Sequence, residues 1–302
     1  MGEWLSQGSG DHADIVLLGA PISKASISPS AAWSTPPAFR EALGRFPTWD
    51  ATTAADISTL SVRDAGDVEG DRHEPDAAAA HRRIEEAVAA VESPARLVVV
   101  IGGDNSLTRP AFLGMSRRRR DKAWGLLTLD AHHDCRPVTA GSANGTPVRE
   151  LIDGGLAGTR VAQIGIHSLG NAREHAEWAV AHGVHVHSAG EVRAAGMAAV
   201  VARALDELRS AGADAVYVDL DVDVVDRAFA PACPASLPGG LPPDDLLTAA
   251  RLLGRDPAVE AVDLCEVDAA ADIAGMTVRL MAATFTALCA GMALRPRTAA
   301  GS

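Results

Sequence analysis

The stretch Trp124-Gly-Leu-Leu-Thr-Leu-Asp-Ala-His-His-Asp134 sets an apolar run directly against a knot of charge. Residues 124–129 carry no charge and suit a strand buried on both faces, and the acids begin at Asp130. Asp130, His132 and Asp134 alternate, and in an extended chain alternate side chains point the same way. A second stretch repeats the arrangement: Ala215-Val-Tyr-Val runs into Asp219-Leu-Asp-Val-Asp223, with Asp221 and Asp223 again alternating. Carboxylates crowded at a strand end repel one another unless a cation lies between them. Oxygen-rich ligands with one imidazole suit a hard or borderline divalent ion, Mn²⁺ above all, rather than a thiolate zinc site. The two stretches predict a metal centre where two strands end.

Outward from these stretches, short Val/Leu/Ile runs alternate with longer Ala-rich ones. Strands are predicted over 15–19, 97–101, 124–130, 160–166, 215–220 and 261–266. Helices are predicted over 37–45, 75–91, 147–153, 171–181, 196–211, 243–253 and 277–293. Such alternation predicts an α/β fold: a mostly parallel central sheet with helices on both faces, three layers in all. Ligands of such sheets bind at the carboxyl ends of the strands. Gly102-Gly-Asp-Asn105, Asp130–Asp134, Asp221–Asp223 and Glu266 all fall there. No linker or repeat divides the chain, so one domain is expected over 11–296, between disordered tails at 1–10 and 297–302.

Composition narrows the function. A net charge of −12 argues against nucleic acid as a partner. No apolar run is read as reaching membrane-spanning length, and the first residues lack a secretory pattern. Cys135, Cys233, Cys265 and Cys289 are widely spaced, which suggests neither a disulfide framework nor a zinc motif. A reduced, cytoplasmic setting is expected. Gly102 and Gly103 read as tight-turn glycines, since no Lys-Ser/Thr follows them as in a phosphate loop. Arg117–Arg120 reads as a solvated helix end. His182, His185 and His187 read as exposed or satisfied histidines, and Cys135 as a small buried residue.

Taken in order, four segments resemble the ureohydrolases, the family of arginase, agmatinase and formimidoylglutamase. Ile101-Gly-Gly-Asp-Asn-Ser106 is similar to that family's Gly-Gly-Asp-His-Ser segment, and Asp130–Asp134 fits Asp-Ala-His-x-Asp. Asp221-Val-Asp-Val-Val-Asp226, with Pro238-Gly-Gly-Leu241 beyond, fits a third block, and Glu266-Val267 with Asp272 a fourth. The resemblance covers roughly residues 15–293. It implies an arginase-like three-layer fold holding two Mn²⁺ ions, and self-association into trimers or hexamers. The implied metal ligands are Asn105, Asp130, His132, Asp134, Asp221 and Asp223. Asn105 stands where the family usually has His, so a single ion is the variant of this expectation. Asp219 is left out of the ligand set and Asp226 is a supporting residue. The resemblance assigns Glu266 to the substrate's amidine or guanidine group; Asp134, next to the metals, is the candidate for moving the proton to the leaving amine.

Within that family the residues point toward formimidoylglutamase. Asn144 stands where arginases and agmatinases carry His, and Arg136 closely follows the metal motif. A dicarboxylate substrate needs cations in its pocket, and Arg136 can pair with one carboxylate, whereas it would repel the cationic tail of agmatine. Asn144 and Asn171 are the other expected substrate contacts. The expected partner is thus a small amidine or guanidine. Two other readings stay open: an agmatinase or guanidino-acid hydrolase releasing urea, and a metal-poor family member with a regulatory role.

Overall fold

The computed structural model of the chain describes residues 4–5, 13–92, 95–139 and 141–296. Ten strands are found among them: β1 (Ile15–Ala20), β2 (Trp49–Asp50), β3 (Ala55–Asp56), β4 (Val62–Asp67), β5 (Leu97–Gly102), β6 (Trp124–Leu129), β7 (Val161–Ile166), β8 (His185–Ser188), β9 (Ala215–Asp221) and β10 (Val259–Cys265). Eight form one sheet in the order β4-β1-β5-β10-β9-β6-β7-β8, every neighbouring pair parallel. The remaining two, β2 and β3, make a small antiparallel ribbon.

Helices among the described residues include α1 (Thr35–Leu43), α2 (Ala78–Ala89), α3 (Thr108–Arg118), α4 (Pro147–Asp153), α5 (Arg173–Ala181), α6 (Ala189–Ala195), α7 (Met197–Ser210), α8 (Pro243–Arg255) and α9 (Met276–Ala293). Alternation along each strand divides the core in two. Leu127, Leu129, Val218, Leu220, Val262 and Leu264 pack under α1, α6, α7, α8 and α9. Trp124, Leu126, Tyr217, Ala261 and Cys265 pack under α2, α3, α4 and α5. The expected three-layer architecture is therefore the one observed.

Several expectations need correcting. Strands β4 and β8 were not anticipated: both are sheet edges on which a single residue, Val62 or His187, is buried, so neither shows a continuous apolar run. Helix α3 was also missed, because Pro110 in its first turn and Gly114 mask its periodicity. Helix α9 is apolar and 18 residues long, enough by length and composition to cross a membrane, yet 72% of it is buried inside the fold as a core helix. Of the two expected tails, 297–302 and most of 1–10 lie outside the described residues. Trp4 in the first of them is instead buried, with its ring against Phe285 and its indole N–H donating to the Leu60 carbonyl at 3.0 Å.

Candidate active site

Every parallel strand delivers its carboxyl end to the same rim. The register sets Cys265 beside Asp221 and Asp263 beside Asp219. Asp130, one residue past β6, anchors its N–H on the Ile164 carbonyl of β7 at 3.0 Å. From that fixed start the chain turns sharply. The Asp130 Oδ1 accepts the His132 N–H at 2.6 Å, and Asp134 has φ of 51°. Glu266, which follows β10, has φ of 62°. A positive φ is uncommon for residues other than glycine and costs on the order of 1 kcal/mol or more. Both sit where the fold must turn a carboxylate inward.

The strand ends bring together the residues named from the sequence. Asp223 holds the first acidic loop: its Oδ1 accepts the Ala131 N–H at 2.9 Å and its Oδ2 lies 2.6 Å from His132 Nδ1. The Asp223 N–H in turn donates to Asp221 Oδ1 at 2.8 Å. Glu266 Oε1 accepts from the Asn105 backbone N–H at 2.8 Å and from the Asn144 amide at 2.9 Å. A cavity of about 280 Å³ opens over this floor. Its lining includes His132, Asp134, Asp221, Asp223 and Glu266, with Arg136, Asn144 and Asn171 toward the sides.

Five buried acids crowd around the His132 imidazole. Burial, and then the Asp223 charge, push Asp130 up to about 7. Burial and neighbouring carboxylates hold Asp134 and Asp221 well above the usual range. Glu266 rises to about 8, through burial first and Asp104 next. Burial opposes charge on His132 as well, but Asp223 and Asp130 outweigh it and lift the imidazole to about 12. The same contact, against the effect of burial, keeps Asp223 below the usual carboxylate range. Asp130 Oδ2 is buried without a hydrogen-bond partner among the described residues, as is Asp263 Oδ1. An orphaned carboxylate oxygen is costly unless a cation completes it. Ligand atoms of Asp130, His132 and Asp223 all lie within 4.8 Å of one another. Oxygen donors, one imidazole and an unsatisfied acid fit a divalent cation of the Mn²⁺ type.

Some residues occupy unanticipated roles. The Asn105 amide nitrogen, not its oxygen, faces the acids: Nδ2 donates to Asp134 Oδ2 at 2.6 Å, and Oδ1 accepts the Thr108 hydroxyl at 2.6 Å. In this arrangement Asn105 steadies Asp134, and metal ligation would need the amide turned over. Asn171 lines the cavity, but its Oδ1 accepts the His133 N–H at 2.9 Å and its Nδ2 donates to the Ala131 carbonyl at 2.9 Å. It ties the start of α5 to the acidic loop. Asp226 accepts the Ala228 and Gly239 N–H groups and so braces its own loop. Beneath the rim lies a second buried group that the sequence reading missed. Asp263 accepts from the Tyr217 hydroxyl at 2.7 Å and from Thr108 at 3.0 Å, opposite Asp219. A carboxylate inside the apolar run Val262-Asp-Leu-Cys265 was the available signal.

Comparison with known proteins adds four findings. A profile described as the arginase family matches residues 13–290. A formimidoylglutamase of Halalkalibacterium halodurans is 36% identical over 270 residues, covering 88% of this chain and 83% of the relative. Among solved structures, formimidoylglutamase from Bacillus subtilis superposes with a TM-score of 0.89 at 30% identity, covering 95% of this chain and 89% of that one. Formiminoglutamase of Trypanosoma cruzi, solved with Mn²⁺, superposes with a TM-score of 0.87 at 26% identity, covering 97% of this chain and 99% of that one.

Proposed function

We propose that this chain, which belongs to the arginase family, hydrolyses formimidoylglutamate to glutamate and formamide. The relatives named above support the substrate. The observation that carries the reading is an unpaired cation in an acid-lined cavity. Arg136 lines the cavity yet makes no ion pair among the described residues, although carboxylates form the floor beside it. An arginine left open in this way awaits an anion on the incoming molecule. Formimidoylglutamate brings two carboxylates; agmatine brings none.

Two Mn²⁺ ions held by Asp130, His132, Asp134, Asp221 and Asp223 would supply hydroxide as nucleophile near neutral pH. The protein's own groups do the rest. Glu266, fixed by the Asn105 N–H and the Asn144 amide, takes the positively charged formimidoyl nitrogen through charge-assisted hydrogen bonds. The formimidoyl carbon gains a bond to oxygen and loses its bond to the glutamate nitrogen. Asp134, steadied at Oδ2 by Asn105, carries the proton that this nitrogen needs in order to leave. Asn144 cannot carry a proton and serves instead to orient Glu266. A cytoplasmic setting, in keeping with four free cysteines, and self-association belong to the same reading.

The deciding assay loads the protein with Mn²⁺ and follows formamide and urea from formimidoylglutamate, agmatine and guanidinobutyrate. Formamide from the first alone is the expected result. Urea from either of the others, with no formamide, would replace this reading. Arg136→Ala should raise KM for formimidoylglutamate by about tenfold or more with a smaller effect on kcat.

A further inference from the structure

Resting on the reading just given, we infer that His175 is a specificity residue which, with Arg136, forms a two-point clamp for a ligand bearing two carboxylates. Arg136 accounts for one carboxylate, and the second needs its own partner. His175 lines the same cavity, half-buried, on the first turn of α5. The hydrogen bond His175 makes among the described residues is from its backbone N–H to the Ala172 carbonyl, so a ring nitrogen is left to donate. Both side chains line this one cavity, and burial, and next the charge of Arg136, lower the His175 pKa. Glu174 on the same turn acts on His175 in the opposite sense, yet neither His175 nor Arg136 forms an ion pair among the described residues, which leaves both open to an added anion.

The frame around His175 is rigid. Asn171, one turn earlier, bonds to Ala131 and His133 in the acidic loop. Further along α5, Trp178 lies under the Arg149 guanidinium, 4.4 Å from its ring centre. The Arg149 backbone N–H donates to the Asp134 carbonyl at 3.1 Å. The helix carrying His175 is therefore fastened at two points to the loop that carries Asp134 and Arg136. A clamp acts as a ruler only if its jaws keep their spacing. The acids on the floor would repel a carboxylate, so anionic groups of a substrate are confined to this side of the cavity while its cationic end faces Glu266.

The test measures binding to the Mn²⁺-loaded protein by calorimetry, with three probes: L-glutamate, 4-aminobutyrate and 2-aminobutyrate. The last two each keep only one of glutamate's carboxylates. His175→Gln should weaken glutamate binding about tenfold, the scale of one charge-assisted hydrogen bond. It should leave one of the two monocarboxylates unaffected, and Arg136→Met should leave the other unaffected. Unchanged glutamate affinity in His175→Gln overturns the clamp. So does an equal loss for all three probes, which marks a merely structural residue, and so does the absence of glutamate binding to the wild-type protein. Formamide release by the wild type is assayed alongside. Binding that follows the two-point pattern without formamide release retires the reaction and keeps the clamp.

Discussion

Asp223 shows how much rests on one carboxylate. It accepts the Ala131 N–H, meets the His132 imidazole, and sends its own N–H to Asp221. Asp223→Asn keeps the shape and removes the charge. Turnover should fall by several orders of magnitude and metal content should drop, while the circular dichroism spectrum stays unchanged; normal metal content would remove Asp223 from the ligand set. Asp219 offers the opposite case. It faces Asp263 in the buried row below the rim, and burial followed by Asp263 holds its pKa well above the ordinary 3.8. Burial lifts Asp263 to about 6 as well, against its hydrogen bond from Tyr217. A carboxyl whose folded pKa is raised contributes stability below its unfolded value and loses it as pH climbs through the folded one. The metal-free protein should thus weaken from about pH 5 to about pH 8. Asp219→Asn should weaken less, with a melting temperature roughly 3–8 °C above wild type at the upper pH and close to it at the lower. Equal slopes in the two proteins would show that Asp219 carries none of this loss.

At the level of elements, α8 and α9 pack so closely that glycine is required on each. A Cβ on Gly254 would fall inside the Leu288 carbonyl, and one on Gly291 inside the Arg251 carbonyl. Gly254→Ala should push the helices apart at a cost of about 1–3 kcal/mol, read as a lower melting temperature with kcat unchanged, since the site lies at the strand ends and not at this contact. A melting temperature equal to wild type would show that the helices have slack. The same scale explains which elements could be read from the chain. Strands β1, β5, β6, β7 and β9 are buried at every residue and announce themselves as apolar runs. β4, reading Val-Arg-Asp-Ala-Gly-Asp, spends its polar residues at a sheet edge and so resembles a loop. The site divides in the same way. Asp130, His132 and Asp134 were legible because alternation and charge density act within a few residues. His175 was not, because a lone histidine on a helix gains meaning only when folding sets it beside Arg136.

Across the whole molecule, the acid cluster ties metal to stability. Five buried carboxylates against one imidazole are tolerable when cations share the cavity and costly when they do not. Chelation should therefore lower the melting temperature, and Mn²⁺ at about a thousand times its Kd should restore about 4 kcal/mol. A chelated protein that melts like the loaded one would mean that protons alone settle the cluster.

The position of β10 has a consequence for how the chain is made. It is the last strand among the described residues, yet it lies between β5 and β9 at the middle of the sheet. Until residues 259–265 are made, the strands on either side, β4-β1-β5 and β9-β6-β7-β8, lack the one that joins them, and the inner edges of β5 and β9 have no partner. Such edges invite pairing with other chains, so this is the stage of synthesis at which a chaperone has most to protect. Glu266 arrives one residue after the keystone strand, and the active centre is therefore among the last parts to be assembled.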